Sequence, residues 1–161
     1  MEMNELDRAS LLILEVLQAD ARLSTQALAD KVGLSATPVW RRLKDMEDRG
    51  VIRGQVALVD REKLGLSILV LAHVSLVRHS EGAVEQFEQL VVTRREIIEC
   101  HAITGEADYV IKVVAADMKV YDQFLQQHIF KLPGVSSVRS NVVLREVKYE
   151  TALPVPQRTA G

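Results

Sequence analysis

The chain has 161 residues, 48% of them hydrophobic, enough to bury the core of one domain or of two small ones. Its formal net charge of -2 excludes a basic field over the whole molecule, so any nucleic-acid binding must come from a local patch. The lone cysteine, Cys100, excludes an intramolecular disulfide. The opening MEMNELDRAS lacks the blocks of a secretory signal, and the longest apolar run, Ile68 to Val77, is broken by His73 and Ser75 and is too short to cross a bilayer. A cytoplasmic protein without a membrane role is expected.

Leu6, Ile13, Leu14 and Leu17 recur at helical spacing and predict a first helix that ends in the polar stretch from Asp20 to Leu23. Ser24 is a good cap for a second helix over Thr25 to Val32, with Leu28, Ala29 and Val32 facing inward and Gly33 stopping it. Ser35 caps a third helix with Pro38 in its first turn, where a missing N–H is tolerated, and Val39, Leu43 and Met46 line its buried side. Arg49-Gly50 closes that helix, and Val51 to Val59 reads as a short β ribbon bending at Gly54. Three helices and a ribbon predict a winged helix-turn-helix over residues 1–60.

Beyond DREKLG the apolar period changes from 3.6 to 2, which marks a domain boundary near residues 60–65. Strands over 66–77, 97–104, 108–115 and 135–147 alternate with helices over about 81–92 and 118–130. The order is βαββαβ, the split-βαβ or ferredoxin-like arrangement, so the fold class is α+β with a second domain over 61–150 and an irregular tail over 151–161. In the first strand, Leu66, Ile68, Val70, Ala72, Val74 and Leu76 make one apolar row. The opposite row, Ser67, Leu69, Leu71, His73, Ser75 and Val77, is too apolar for water and too polar for a monomer core, and it predicts a sheet-to-sheet dimer. A mixed solvent face is the alternative.

LADKVGLSATPVWRRLKDMEDRG has the form of two helices joined by a tight glycine turn. With Val39, Leu43 and Met46 inward, the other side of the third helix presents Ser35, Thr37, Trp40, Arg41 and Lys44, with Pro38 in the first turn and Arg42 at the flank. These residue types suit phosphate and base-edge contacts to double-stranded DNA. From Lys31 to Arg53 six basic side chains stand against three acidic ones, a local excess of three in a net acidic chain. Trp40 packs either on the sugar-phosphate backbone or on a neighbouring element of the protein.

These motifs together resemble one known family. LDRASLLILEVLQADARLS, LADKVGLSATPVWRRLKDMEDRGVI, LVDREKLG, ECHAITGEADYVIKV, DMKVYDQFL and KLPGVSSVRSNVVLREVK are similar to stretches of the leucine-responsive/asparagine (Lrp/AsnC) transcription regulators, from Leu6 to about Pro154. Ser10 and Ala36 depart from residues frequent in that family. The resemblance implies a DNA-binding regulator, not an enzyme, whose assembly or promoter binding responds to an amino acid or related metabolite. It also implies homodimers that build tetramers or octamers. The leucine-responsive branch is the nearer one.

The resemblance also directs attention to the turn Ile103 to Tyr109. Its Thr104 and Gly105 backbone can offer N–H groups to a carboxylate, while Glu106 or Asp108 accepts from an α-ammonium. Val138, Ser140 and Val142 supply a neighbouring surface for the effector side chain, and Asn141 either contacts the ligand or lies outside the pocket. Read without the family, ITGEAD is an ordinary hairpin with surface acids. No cofactor and no metal site is expected, since adjacent strand residues Cys100 and His101 point to opposite faces. A tetrapyrrole decarboxylase and an architectural DNA-binding protein without effector are the competing functions.

Overall fold

The computed structural model describes residues 6–77 and 82–156, in two compact units: the chain up to Leu58 together with residues 148–156, and Val59–Val147. The first unit holds α1 (Arg8–Ala19), α2 (Thr25–Val32) and α3 (Ala36–Asp48). Asp7 caps α1, its carboxylate accepting from the Ser10 N–H at 2.7 Å, and Ser24 caps α2 by accepting from the Ala27 N–H. Ile13, Leu17, Leu28, Ala29, Val32, Val39 and Met46 form its core, so the three helical stripes read from the sequence converge. Leu43 is only half-buried at the edge of that core. The later tail lies in this unit: the Leu153 N–H donates to Gln18 Oε1 at 2.7 Å, and Gln18 Nε2 donates back to the Leu153 carbonyl at 3.1 Å.

The ribbon expected over Val51–Val59 does not form. The segment is without a strand ladder, and Val56 (85% exposed), Leu58 and Val59 project outward. One extended segment cannot satisfy its own backbone, and a two-stranded hairpin of this length is marginal without a third element.

The second unit holds β1 (Ile68–Leu76), α4 (Ala83–Thr93), β2 (Ile97–Ala102), β3 (Tyr109–Ala115), α5 (Met118–Phe124), a π-helical turn at Leu125–Ile129, and β4 (Val135–Val142). The four strands make one antiparallel sheet in the order β2-β3-β1-β4, which is the expected split-βαβ topology. The expected start of α4 at Glu81 lies outside the described residues. β4 ends at Val142, not Val147, because its partner β1 begins at Ile68: the Val143 N–H donates to the Leu69 carbonyl, and later residues have no strand to pair with. Val70, Ala72, Val74, Ile111 and Val113 pack under Phe87, Tyr121, Phe124 and Ile129 of the helical layer. Among the described residues no helix is long and apolar enough to cross a membrane.

Candidate functional site

In the first unit, α3 separates its residues by phase. Val39 and Met46 are buried, whereas Ser35, Thr37, Trp40 (59% exposed), Arg41 and Lys44 are all exposed and Pro38 is half-buried in the first turn. Ser35 occupies the cap position in an extended conformation, yet its hydroxyl makes no capping bond. The helix therefore presents an unused hydroxyl and its positive end together, a combination suited to a phosphate. Lys44 pairs with Asp48 at 3.1 Å, one turn along the helix. Arg41 has no ion-pair partner among the described residues. Arg42 stands apart, half-buried, its guanidinium donating to Asp7 Oδ2 at 2.8 Å and holding that carboxylate well below the usual range. No feature of the local sequence signals this pairing, since the partners are 35 positions apart.

In the second unit, the sheet face away from the helices carries Leu71, His73, Val110, Lys112, Glu99, His101, Arg139 and Asn141, as the register dictates. Lys112 bridges to Glu99 at 2.9 Å and thereby lowers the Glu99 pKa. A cavity of about 370 Å³ opens on this face, lined by His73, Ser75, Glu106, Ala107, Ser137 and Arg139. Arg139 of β4 donates to Glu106 of the β2–β3 turn at 2.8 Å, which keeps the Glu106 carboxyl below its ordinary value. Gly105 adopts φ +117, a conformation other residues rarely hold, and so lets the turn carry Glu106 toward Arg139.

The structure divides the candidate effector residues. Glu106 lines the cavity, and Thr104 and Gly105 lie in the same exposed turn. Asp108 is committed to the backbone: its Oδ2 accepts from the Leu76 N–H at 2.7 Å beside the β1 bulge, and its own N–H donates to the Val74 carbonyl. Ser140 and Val142 pair with Ala72 and Val70, and so lie on the helix-covered side of the sheet, where the Ser140 hydroxyl meets the Tyr121 hydroxyl. Val138 likewise packs against the helical core. Val138, Ser140 and Val142 therefore lie on the opposite sheet face from the cavity-lining Ser137 and Arg139, and Asn141 shares the cavity's face without lining it, because a one-residue change in phase flips every side chain to the other face. His73, Ser75, Ser137 and Arg139 line the cavity without standing among the expected effector residues; the alternation of β1 puts His73 and Ser75 on this face, but nothing local locates the cavity.

Cys100 packs toward the core and burial raises its pKa, while His101 is exposed on the opposite face. Burial, followed by a hydrogen bond to Glu88, pushes Tyr109 up to about 12. Among the described residues no group of three His, Cys, Asp or Glu side chains is placed to hold a metal.

Comparison with known proteins agrees with both units. Residues 6–53 match the profile for a winged helix-turn-helix DNA-binding domain, and residues 69–153 match that of the Lrp/AsnC ligand-binding domain. The chain belongs to the Lrp/AsnC family. It is 39% identical to the DNA-binding transcriptional activator DecR of Escherichia coli over 93% of this chain and 99% of that one. It is 38% identical to the leucine-responsive regulatory protein of the same species over 96% and 94%. A transcriptional regulator from Neisseria meningitidis, solved as a complex with L-Met, superposes with a TM-score of 0.89 at 36% identity, covering 93% of this chain and 97% of that one. This Lrp/AsnC protein is a DNA-binding transcription regulator with a ligand-binding domain, and its relatives are regulators of transcription.

Proposed function

We propose that this regulator senses an amino acid held in the cavity beside β4, and that the effector alters how it binds or assembles on DNA. The observation that carries this reading is the Arg139–Glu106 pair at the cavity. An α-amino acid is a zwitterion, so it can exchange with such a pair, its carboxylate taking Arg139 and its ammonium taking Glu106. Both side chains are largely exposed, so the pair itself is weak and its opening costs little. A cavity of about 370 Å³ is at the small end of ligand sites, in keeping with a single amino acid. The L-Met bound to the Neisseria relative supports this class of ligand.

In this reading Ser35, Thr37, Pro38, Trp40, Arg41 and Lys44 form the DNA-reading face. Leu71 (38% exposed) and Val110, on the bare sheet face beside the cavity, meet a second copy in a homodimer that assembles further. Two third helices then lie about 34 Å apart, or a multiple of it, on a pseudo-palindromic site. Such a protein works in the cytoplasm and performs no catalysis.

The test is thermal stability against the twenty amino acids, since a ligand of the native state raises the melting temperature. A selective shift that is lost in both Arg139→Ala and Glu106→Gln, with DNA binding retained, is expected. A shift untouched by both variants removes the cavity from the mechanism and leaves an effector bound elsewhere, whereas a flat screen favours a DNA-binding protein without effector.

A further inference from the structure

Arg41 and Arg42 are neighbours on the DNA-reading helix, and by residue type the sequence offers both for phosphate contact. The structure does not. Arg42 is turned toward α1, with its side chain only 26% exposed, and its Nη2 and Nε donate to the two carboxylate oxygens of Asp7 at 2.8 and 3.5 Å. Its Nη1 reaches the Pro38 carbonyl one turn back on α3, at 3.5 Å. The Asp7 oxygen that faces Nε also accepts from the Ser10 N–H at 2.7 Å and so caps α1. One carboxylate thus joins the start of α1 to the middle of α3 within a single compact unit.

A fork held by two carboxylate oxygens has a fixed direction, and an arginine in that geometry has its Nε–Nη2 edge engaged and must give up those bonds before that edge can grip a phosphate bidentately. Arg41, exposed and without a partner among the described residues, faces no such competition. We infer that Asp7, outside the helix-turn-helix itself, is a positioning residue for DNA binding: through Arg42 it fixes α3 against α1, and Arg42 is a brace, not a phosphate contact. This rests on the reading that α3 presents its exposed side to DNA.

The experiment uses the full chain and a duplex selected by the wild-type protein from a random library. Affinity is measured against KCl concentration for Arg41→Ala, Arg42→Ala, Arg42→Lys, Asp7→Asn and the Asp7→Asn/Arg42→Ala double variant. Asparagine caps a helix as well as aspartate does, so Asp7→Asn removes the charge pair and keeps the cap. Each phosphate contact contributes close to one unit to the slope of log affinity on log salt, and Arg41→Ala should therefore lower the slope by about one.

Asp7→Asn and Arg42→Ala should each weaken binding roughly three- to tenfold without changing the slope, and the double variant should be no weaker than Arg42→Ala, because both remove one interaction. Arg42→Lys, which keeps the charge, should recover part of the affinity. An Arg42→Ala slope reduced by about one, tighter binding with a steeper slope in Asp7→Asn, or additive losses in the double variant would each overturn the brace. If Arg41→Ala leaves both affinity and slope unchanged, it is the orientation of α3 toward DNA that fails.

Discussion

Gly134 sits just before β4, and its backbone lies against the first turn of α4. A methyl group added there would collide with the Ala83 Cβ and stand 3.0 Å from the Ala83 Cα. Neither side can retreat easily: Ala83 is 5% exposed, and the Gly134 carbonyl accepts from the Val77 N–H at 2.8 Å at the end of the β1–β4 ladder. Overpacking of this kind costs about 1–3 kcal/mol, and the upper half of that range applies because the obstructing atoms include backbone. Urea unfolding of Gly134→Ala should show the loss as a lower midpoint with an unchanged slope. Combining it with Ala83→Gly should restore part of the loss by removing the colliding methyl. The same shift would disturb Ser136, whose hydroxyl donates to the Ser75 carbonyl at 2.9 Å, and Ser137, which lines the cavity. An effector response should therefore weaken while DNA binding persists. Stability of Gly134→Ala within about 0.5 kcal/mol of the parent, the range of a neutral surface change, would mean that α4 and β4 can part to admit the methyl group.

Phe87 is fully buried, with its ring centroid 4.8 Å from that of Tyr109, and Phe87→Ala should cost about 3–5 kcal/mol in chemical unfolding. The Asp7–Arg42 pair should also give the first unit an acid-sensitive component. Because the hydrogen bond from Arg42 depresses the Asp7 pKa from its ordinary 3.8, the stabilisation is present above that value and is lost as pH falls below it. The Asp7 side chain is about half exposed, so the component should stay under about 1 kcal/mol. The gap in melting temperature between parent and Arg42→Ala should then hold steady down to about pH 5, begin to narrow near pH 4 and keep narrowing toward about pH 2; a constant gap across that whole range would contradict it.

Periodicity located the elements of both units because each buries one stripe. Leu28, Ala29 and Val32 in α2, and Val70, Ala72 and Val74 in β1, are spaced as a helix and a strand must space them, and all are buried. The ribbon at Val51–Val59 was misread for the complementary reason. Alternation reports a tendency to extend, but a ladder also needs a partner strand, and the described residues place none beside it. β4 stopped five residues short of its apolar pattern on the same ground, since β1 begins at Ile68, the register position of Leu144, and residues 145–147 have no β1 residue opposite them.

The candidate sites divide along the same line. By itself the sequence determined the helix-turn-helix, the βαββαβ order, the exposed side of α3 and the turn that carries Glu106, because these follow from local period, caps and turn residues. Only the tertiary structure decided that Arg42 belongs to Asp7, that Asp108 is tied to the Leu76 backbone, and that Arg139 rather than Ser140 faces the cavity. Those facts depend on strand register and on pairs far apart in the chain: Asp7 and Arg42 are 35 residues apart, and Glu106 and Arg139 are 33. A single side-chain period holds no information about which distant partner arrives opposite, and packing supplies it.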